Sequence, residues 1–196
     1  MVVGLTGGIG SGKSTVLNFF KHHTDVAVFS TDDEAKKLMN TSAVIKKKLV
    51  KAFGKNTYVQ GLLNRTYLAD IVFDNPKQLA IVNQIVHPEI ATFFEQFKQV
   101  NQHKNYIIYE SAILFEIGSE NKCDFIITVV APLSIRVQRV MKRDLATVQQ
   151  VKRRIENQWF DEKKAIQSHY VIENIDLNIT KKTALQIHKI LTQKTV

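Results

Sequence analysis

The hydrophobic and polar positions of the chain define two kinds of segment. Short, nearly continuous apolar runs rich in β-branched and aromatic residues predict five buried strands. These runs are MVVGLT, DVAVFS, YIIYES, DFIITVVA and YVIENI. Between them, longer segments with apolar residues three and four positions apart predict helices over residues 13–21, 132–144 and 147–169. This alternation predicts an α/β fold whose parallel sheet is covered on both faces and binds ligands beyond the carboxyl ends of its strands.

One interval, from Asp33 to Asn105, is far longer than a single connection between two strands needs. It begins within DDEAKKLM and continues through LADIVFDNPKQLAIVNQIVHPEIATFFEQFKQV, and both stretches have helical periodicity. We therefore predict a helical insertion at the rim of the sheet. The sequence contains no internal repeat or low-complexity linker, so we expect one domain over residues 1–196.

The composition is that of an ordinary globular protein, with 44% hydrophobic and 23% charged residues. The apolar opening MVVGLTGG lacks a basic flank and is interrupted by glycine, which argues against a signal peptide or membrane span. We expect a cytoplasmic protein with no membrane partner. The single cysteine, Cys123, has no partner for a disulfide and is interpreted as a structural bystander.

The chain is basic, with 27 Lys and Arg against 18 Asp and Glu and a formal charge of +9. This excess suits a polyanionic partner, which could be nucleic acid, a membrane surface or a multiply phosphorylated small molecule. The run KKKLVK, from Lys46 to Lys51, is short and lacks interleaved aromatic residues. It is therefore interpreted as a solvated helix face rather than a nucleic-acid site.

A glycine-rich stretch, GLTGGIGSGKST, follows the first predicted strand and precedes a predicted helix. It satisfies the phosphate-binding pattern G-x-x-x-x-G-K-[ST], in which backbone N–H groups and the helix N-terminus cradle phosphates. Lys13 is expected to reach the β- and γ-phosphates, and the Ser14 hydroxyl to bind Mg²⁺. We therefore predict a site for a nucleoside triphosphate, ATP with Mg²⁺, at Gly8, Ile9, Gly10, Ser11, Gly12, Lys13, Ser14 and Thr15.

Two further groups of residues suggest how a phosphate could be transferred. The second strand ends beside Asp32 and Asp33, where a carboxylate could accept a proton from an acceptor hydroxyl, although a helix N-cap is favoured for Asp33. The spacing of Arg136, Arg139 and Arg143 predicts that they share one helix face, followed by Arg153, Arg154 and Gln158. Behind a phosphate loop, we favour a mobile lid over a merely solvated basic face.

These motifs together resemble the dephospho-coenzyme A kinase family over nearly the whole chain. The resemblance rests on GLTGGIGSGKST, VFSTDDEAKKLM, LLNRTYLADIVFDN, VHPEI, ESAILFE, RVQRVMKRD, RRIENQ and YVIEN, in the order of the family. It implies a five-stranded parallel-sheet P-loop NTPase core flanked by helices, a helical acceptor-binding insertion (about 33–105) and a helical lid (about 139–165).

The resemblance also implies a reaction and its residues. The reaction is phosphorylation by ATP of the ribose 3′-hydroxyl of dephospho-coenzyme A, the last step in making coenzyme A. Asp32 takes the position of the general base. Arg65 and His87 fall in acceptor-binding segments, and Arg139 and Arg143 fall in the lid on the phosphate side, with Arg139 and Lys13 assigned to catalysis.

Three positions depart from the family pattern: Ser30 stands where an Asp is usual, Lys36 where Arg is common, and Ala112 where a Pro is usual. Several other residues keep two interpretations. His87 could be a turn histidine, and Arg65 could simply pair with Asp70. Glu110 could hold Mg²⁺ through water or cap the next turn, while Trp159 is interpreted as an anchor of the lid with adenine contact as the alternative.

Two rival functions stay open at this stage. A nucleoside monophosphate kinase would keep the loop and the lid but use a different acceptor insertion. A nucleotide-gated switch or nucleic-acid-associated ATPase would carry an Asn-Lys-x-Asp segment or an extended basic stripe with stacking aromatic residues. The sequence has neither feature, so we expect no nucleic-acid partner, and it leaves the oligomeric state open.

Overall fold

The computed structural model of the protein describes residues 1–72 and 75–194. The chain forms two compact units, the first combining Met1–Ser30 with Asn101–Val196 and the second made of Thr31–Val100. The predicted helical stretch that runs through Phe73 and Asp74 is described on either side of these two residues, which themselves lie outside the described residues.

The described residues form strands and helices that alternate over most of the chain. In chain order they are β1 (Val2–Thr6), α1 (Lys13–Lys21), β2 (Val26–Ser30), α2 (Thr31–Thr41), α3 (Ala43–Phe53), β3 (Tyr58–Val59), β4 (Leu62–Leu63), α4 (Arg65–Val72), α5 (Pro76–Val100), β5 (Tyr106–Glu110), β6 (Phe125–Val130), α6 (Leu133–Asp144), α7 (Val148–Glu156), α8 (Asp161–Ile166), β7 (Tyr170–Glu173) and α9 (Leu177–Gln193). Short 3₁₀ turns follow α3 and precede β6.

The first unit is built on a five-stranded sheet in the order β2-β5-β1-β6-β7, with every pair of neighbours parallel. All five strands predicted from the apolar runs are confirmed. Because the strands are parallel, their carboxyl ends meet at one edge, where Ser30 of β2 stands opposite Glu110 of β5. This edge is where a doubly wound fold binds its ligands.

The core of this unit lies between the sheet and the helices α1 and α9, which pack against each other. Every residue of β1 is buried, as expected for a central strand covered on both faces. A fully buried apolar side chain contributes about 1.5–3 kcal/mol to stability, so this cluster fixes where the loop after β1 emerges. Its members are Val3, Leu5, Val16, Leu17, Phe20, Val26, Tyr106, Ile108, Ile127, Val129, Ile172, Ala184, Ile187 and Leu191.

The single helix predicted over residues 147–169 is wrong, because the chain breaks between α7 and α8. A capping box between Thr147 and Gln150 starts α7 as the pattern predicts. After Glu156, however, the Gln158 side chain accepts a hydrogen bond from Ile9 N–H, and Trp159 N–H donates to Glu116 Oε1. The Trp159 N–H, which a continuous helix would have bonded internally, is therefore bound to a distant part of the chain.

The second unit consists of α2 to α5 and a small hairpin, β3–β4, which the sequence pattern did not predict. The hairpin turn places Gln60 and Gly61 at positive φ, 50° and 81°, the backbone needed for a tight two-residue connection. Helix α2 begins at Thr31, two residues before the predicted insertion. The basic run is in α3, where Lys47, Lys48 and Lys51 are exposed, as the solvated-face interpretation predicts.

Helix α5 continues through Pro88, although proline removes a backbone donor and costs about 3 kcal/mol inside a helix. A stripe of buried apolar residues on both sides of Pro88 offsets this cost: Val82, Val86, Ile90 and Phe94. His87 is therefore a helix residue, and its interpretation as a turn histidine is wrong. Across the described ranges, no helix combines the length and the apolar character needed to cross a membrane.

Cys123 is half-buried, and its thiol donates to Ser119 O at 3.7 Å. Burial, reinforced by Asp124 and Glu120, raises the pKa of this thiol from 9.0 to about 12. At pH 8 the thiolate fraction is therefore about 10³-fold smaller than that of an ordinary thiol, while its greater basicity recovers only about 20-fold in reactivity.

We expect iodoacetamide to alkylate Cys123 about 50-fold more slowly in the folded protein than in the urea-unfolded chain at pH 8. The rate should keep rising with pH beyond the ordinary thiol pKa. Mass spectrometry over a time course measures both rates. Equal rates in the folded and unfolded chain would contradict the buried, protonated thiol.

Candidate active site

The loop between β1 and α1, residues 7–12, curls at the carboxyl edge of the sheet. Gly7, Gly10 and Gly12 have φ values of 145°, 81° and 91°, which side chains on L-residues rarely allow. A Cβ added at Gly12 would also collide with the Asn174 amide, and one at Gly8 with the Arg136 guanidinium. The glycines of the predicted motif are thus required by backbone conformation and by the close approach of neighbouring side chains.

The residues that start α1 supply the charge and the hydroxyl groups of the predicted phosphate site. Lys13 folds back over the loop and donates from Nζ to Gly7 O at 3.0 Å. Ser14 is exposed in the first turn of α1, and Thr15 N–H donates to Gly12 O at 3.0 Å. The structure therefore brings the predicted phosphate-binding residues together at a helix N-terminus, the arrangement that attracts anions.

Two N–H groups at the start of the loop are held by side chains from the predicted lid. Gly8 N–H donates to Asp161 Oδ1 at 3.2 Å, and Ile9 N–H donates to Gln158 Oε1 at 2.8 Å. Both amides are therefore bonded within the protein in this arrangement. The bonds anchor the start of the loop, and nucleotide binding by Gly8 and Ile9 stays a prediction.

Arg136 and Asp161 form a buried ion pair beneath the loop. Their Nη1 and Oδ2 atoms are 2.8 Å apart, and the side chains are 7% and 9% exposed. Arg136 also donates from Nε to Ile9 O at 2.9 Å. The pair therefore holds both a donor and an acceptor of the loop backbone, and Arg136 braces the loop instead of facing solvent.

The buried surroundings of the Asp161 carboxyl disfavour its charged form. Burial raises its pKa above the ordinary value, although Arg136 and the Gly8 N–H act in the opposite direction. Desolvation thus exceeds the attraction of the partner, as is common for buried ion pairs. Because the folded pKa is raised, protonation of this carboxyl favours the folded state; that gain over the ionised form is present below the ordinary pKa and is lost as the pH rises through the folded value.

Arg139 and Asn174 hold the other end of the loop. Asn174 follows β7, is 4% exposed and donates from Nδ2 to Ser11 O at 2.8 Å. Arg139 donates from Nη2 to Asn174 O at 2.9 Å and from Nη1 to Ser11 O at 3.4 Å. Arg139 therefore lies against the phosphate loop, where its charge can act on a bound phosphate.

Arg143, one turn further along α6, has a different environment. It is exposed and bonds to Asp144 at 2.7 Å, and Asp144 also accepts from Arg154 at 2.7 Å. The hydrogen bond from Arg143 is the main cause that holds the pKa of Asp144 below its ordinary value. The three arginines therefore share one face of α6, as predicted, but their environments differ: Arg136 is buried, Arg139 contacts the loop and Arg143 is exposed.

The start of α8 is anchored to the segment that follows β5. Lys164 is fully buried, pairs with Glu116 at 2.8 Å and donates to Ala112 O at 2.8 Å. The Trp159 ring stacks on Phe115 with centroids 6.1 Å apart. Trp159 thus fits its interpretation as an anchor. Ala112 lacks the proline that the resemblance predicts, but its carbonyl is held by Lys164.

At the carboxyl edge of the sheet, Ser30 donates from Oγ to Glu110 Oε2 at 2.8 Å. Glu110 is only 6% exposed. The resemblance predicts an acid at this position, and Ser30 thus avoids placing a second carboxylate against Glu110, which would be unfavourable in this buried position.

The predicted acceptor residues are in the second unit. Asp32 and Asp33 lie in the first turn of α2, so the N-cap interpretation of Asp33 is wrong. Asp33 pairs with Lys36 at 3.1 Å on the surface, whereas Asp32 is exposed at the helix N-terminus. A carboxylate is favoured at this end of a helix dipole.

Arg65 and His87 are on two helices that pack together, α4 and α5. Arg65 is exposed at the start of α4, and His87 is half-buried within α5. No ion pair joins Arg65 to Asp70, although both belong to the described part of α4. The structure therefore does not support the simple surface pair, and acceptor binding by both residues stays a prediction.

Sequence reasoning missed Asp161 and Asn174 as parts of this site. Asn174 had a usable signal, because a polar residue directly after a buried parallel strand lies at the ligand-binding edge. Asp161 had none, since an acid at the start of a helix is explained equally well by the helix dipole. Its role follows only from contact with a loop more than 150 positions earlier in the chain.

Comparison with known proteins connects this site to a family. The family model described as dephospho-CoA kinase matches residues 1–179. The dephospho-CoA kinase of Bacteroides fragilis is 39% identical over 172 residues, covering 88% of this chain and 83% of the relative.

Two solved structures are also similar. The crystal structure of TT1252 from Thermus thermophilus has a TM-score of 0.85 at 29% identity and covers 97% of this chain and 96% of its own. Dephospho-CoA kinase from Campylobacter jejuni superposes with a TM-score of 0.66 over 98% of this chain and 97% of its own, and at 22% identity this likeness shows the fold. Because the family model matches residues 1–179 and the relative from Bacteroides fragilis is 39% identical over most of both chains, the chain belongs to the dephospho-CoA kinase family.

Proposed function

We propose that this protein transfers the γ-phosphate of ATP to the ribose 3′-hydroxyl of dephospho-coenzyme A, giving coenzyme A and ADP. The observation that carries the proposal is the phosphate loop at the edge of a parallel sheet, in a chain whose family match extends over residues 1–179. The +9 charge agrees with a donor and an acceptor that both bear phosphates.

The donor side uses the residues that surround the loop. Lys13 and the backbone amides of residues 8–15, which include the N-terminus of α1, offset the charge of the triphosphate. Arg139 lies beside Ser11 and is placed to stabilise the transferred group. We also propose that Arg143 exchanges its bond to Asp144 for a nucleotide phosphate when the lid, residues 139–165, closes.

Mg²⁺ fits the oxygen donors at this edge of the sheet. The exposed Ser14 hydroxyl and the buried Glu110 carboxylate are hard oxygen ligands of the kind that Mg²⁺ prefers, directly or through water. Bound there, the ion would neutralise charge on the β- and γ-phosphates. In our proposal Ser14 is the direct protein ligand.

The acceptor side uses the second unit, which we propose is an acceptor-binding insertion within one kinase domain. Asp32 accepts the proton of the 3′-hydroxyl and directs its oxygen toward the γ-phosphate. Arg65 and His87 bind the phosphate-bearing parts of the acceptor, since a guanidinium and an imidazole both donate to phosphate oxygens.

We place this enzyme in the cytoplasm, as the sequence predicts.

The test is to incubate the purified protein with Mg-ATP and dephospho-coenzyme A and to follow ADP release together with acceptor mass. We expect one ADP for each acceptor that gains the mass of one phosphate. Adenosine and cytidine monophosphates serve as alternative acceptors and should give a far smaller kcat/KM. Faster phosphorylation of a nucleoside monophosphate, or ATP hydrolysis without acceptor phosphorylation, would overturn the proposal.

A further inference from the structure

A second cluster of polar side chains lies in the first unit, away from the phosphate loop. His23 and Asp25 are in the turn between α1 and β2, and His188 is on α9. One potential metal-ligating atom from each residue lies within 4.8 Å of the others. Helix α1 starts at the phosphate loop and rises about 1.5 Å per residue, so its nine residues separate the two sites by about 14 Å.

A fully buried residue, Tyr106, contacts the His188 ring and orients it. Its Nδ1 atom is 2.7 Å from the Tyr106 hydroxyl, and Tyr106 is 0% exposed. This hydrogen bond fixes the ring and leaves Nε2 as the nitrogen for a ligand. A metal-bound histidine characteristically donates its second N–H to an oxygen in this way, which sets the tautomer and the orientation of the ring.

Asp25 is held in a comparable manner. Asn105 Nδ2 donates to Asp25 Oδ2 at 2.7 Å, and Asn105 N–H donates to Asp25 O at 2.9 Å. The second carboxylate oxygen, Oδ1, is left for a ligand. Val26 N–H donates to His23 O and closes the turn that carries both His23 and Asp25. The turn and its carboxylate are therefore oriented before any ligand binds.

One feature of the surroundings favours a cation at this position, although Lys104 Nζ donates to Thr24 O at 2.7 Å in the same turn. The cluster follows the carboxyl end of α1, where the helix dipole is negative. His188 is on the same helix as Ile187 and Leu191, which are buried in the core, so its backbone is rigid.

We propose that His23, Asp25 and His188 form a binding site for a divalent first-row transition-metal ion such as Zn²⁺. Two imidazole nitrogens and one carboxylate oxygen are a ligand set suited to these ions, and water completes the coordination. Tyr106 and Asn105 are the residues that orient the ligands. The site is separate from the kinase reaction and would join the end of α1 to α9.

The present arrangement of the rings defines what binding requires. The His23 and His188 rings stack with centroids 3.7 Å apart and planes 25° from parallel. Nitrogens of stacked rings point side by side, whereas ligands of a tetrahedral ion converge at separations of about 3.3 Å. His188 is fixed by Tyr106, so the His23 ring, on a solvent-accessible turn, must rotate to bring its nitrogen to the ion.

The direct test titrates the metal-free full-length protein with Co²⁺, which gives intense visible absorption when it is bound in a four- or five-coordinate site. We expect saturable absorption at one equivalent and displacement of Co²⁺ by Zn²⁺ but not by Mg²⁺, because Mg²⁺ prefers oxygen ligands. Binding to the folded protein should also raise Tm.

Variants assign the ion to the cluster. We expect His23→Gln and His188→Gln, which each remove a ligand, to weaken Co²⁺ binding more than about 100-fold. Tyr106→Phe removes only a residue that orients a ligand, and it should weaken Co²⁺ binding about 10-fold, the lower end of the range for loss of such a partner. His22→Gln is the matched control, because His22 is the exposed neighbour of His23 and lies outside the cluster. It should bind Co²⁺ as the wild type does.

The results that would overturn the proposal are equally specific. Absence of visible absorption at millimolar Co²⁺, or binding that is unchanged in both His23→Gln and His188→Gln, would show that the stacked pair holds no metal. Loss of binding in His22→Gln alone would place the ion elsewhere. Circular dichroism of each metal-free variant separates a lost ligand from a lost fold.

Discussion

We expect the Asp32→Asn variant to lose about 10³-fold in kcat with dephospho-coenzyme A, while its affinity for ATP stays within a few-fold of wild type. Asn keeps the shape of the side chain but cannot accept the proton of the acceptor hydroxyl. Because Asp32 is exposed in the first turn of α2, its loss leaves no buried group without a partner. The defect should therefore be in the chemical step and not in stability.

The neighbouring acid supplies a matched control. Asp33 is also exposed in the first turn of α2, but it pairs with Lys36 on the surface. Asp33→Asn removes the same charge from the same helix end and should keep kcat within about threefold, as expected for an exposed pair. Single-turnover phosphorylation and ATP binding would be measured for both variants. Equal losses of kcat would show that helix-end charge, and not a base at Asp32, supports the reaction.

Much of the core was predictable from local sequence. Each buried parallel strand is a continuous apolar run, and the turn that follows β1 has a glycine pattern that only a few backbone conformations satisfy. The same pattern predicted Lys13 and Ser14 at the start of α1, where the structure has them, whereas the family resemblance singled out Arg139, which contacts this loop.

The bracing of the loop was not predictable, since it depends on pairs far apart in the chain. Helical spacing places Arg136, Arg139 and Arg143 within reach of one another, but it cannot tell which of them is buried. Burial is decided by Asp161, whose carboxylate is 2.8 Å from Arg136. The break between α7 and α8 has a similar cause, because Gln158 and Trp159 bond to residues outside the helix.

The pair of Arg136 and Asp161 gives the largest expected effect on stability. We expect Asp161→Ala to lower the free energy of unfolding by about 3–5 kcal/mol, the range for removing one partner of a buried ion pair. The variant leaves the Arg136 guanidinium uncompensated at 7% exposure and removes the acceptor of Gly8 N–H. Urea denaturation measured by circular dichroism would give the difference.

An exposed pair elsewhere in the chain provides the comparison. Asp144 bonds to Arg143 and Arg154 at the end of α6, with both arginines about half exposed or more. Asp144→Ala should cost about 1 kcal/mol or less, because solvent and salt screen such contacts. If both alanine variants lose the same stability, burial is not the source of the effect.

A double-mutant cycle identifies the uncompensated charge as the cause. The double variant, Arg136→Met with Asp161→Ala, no longer contains the buried guanidinium that Asp161→Ala leaves without a partner. Its loss of unfolding free energy should therefore be clearly smaller than the sum of the losses in the two single variants. Because the pair also holds Gly8 and Ile9, the KM for ATP should rise in all three variants, including any that are stable at the assay temperature. Additive losses of stability, or an unchanged KM for ATP in a folded Asp161→Ala variant, would mean that the ion pair does not brace the phosphate loop.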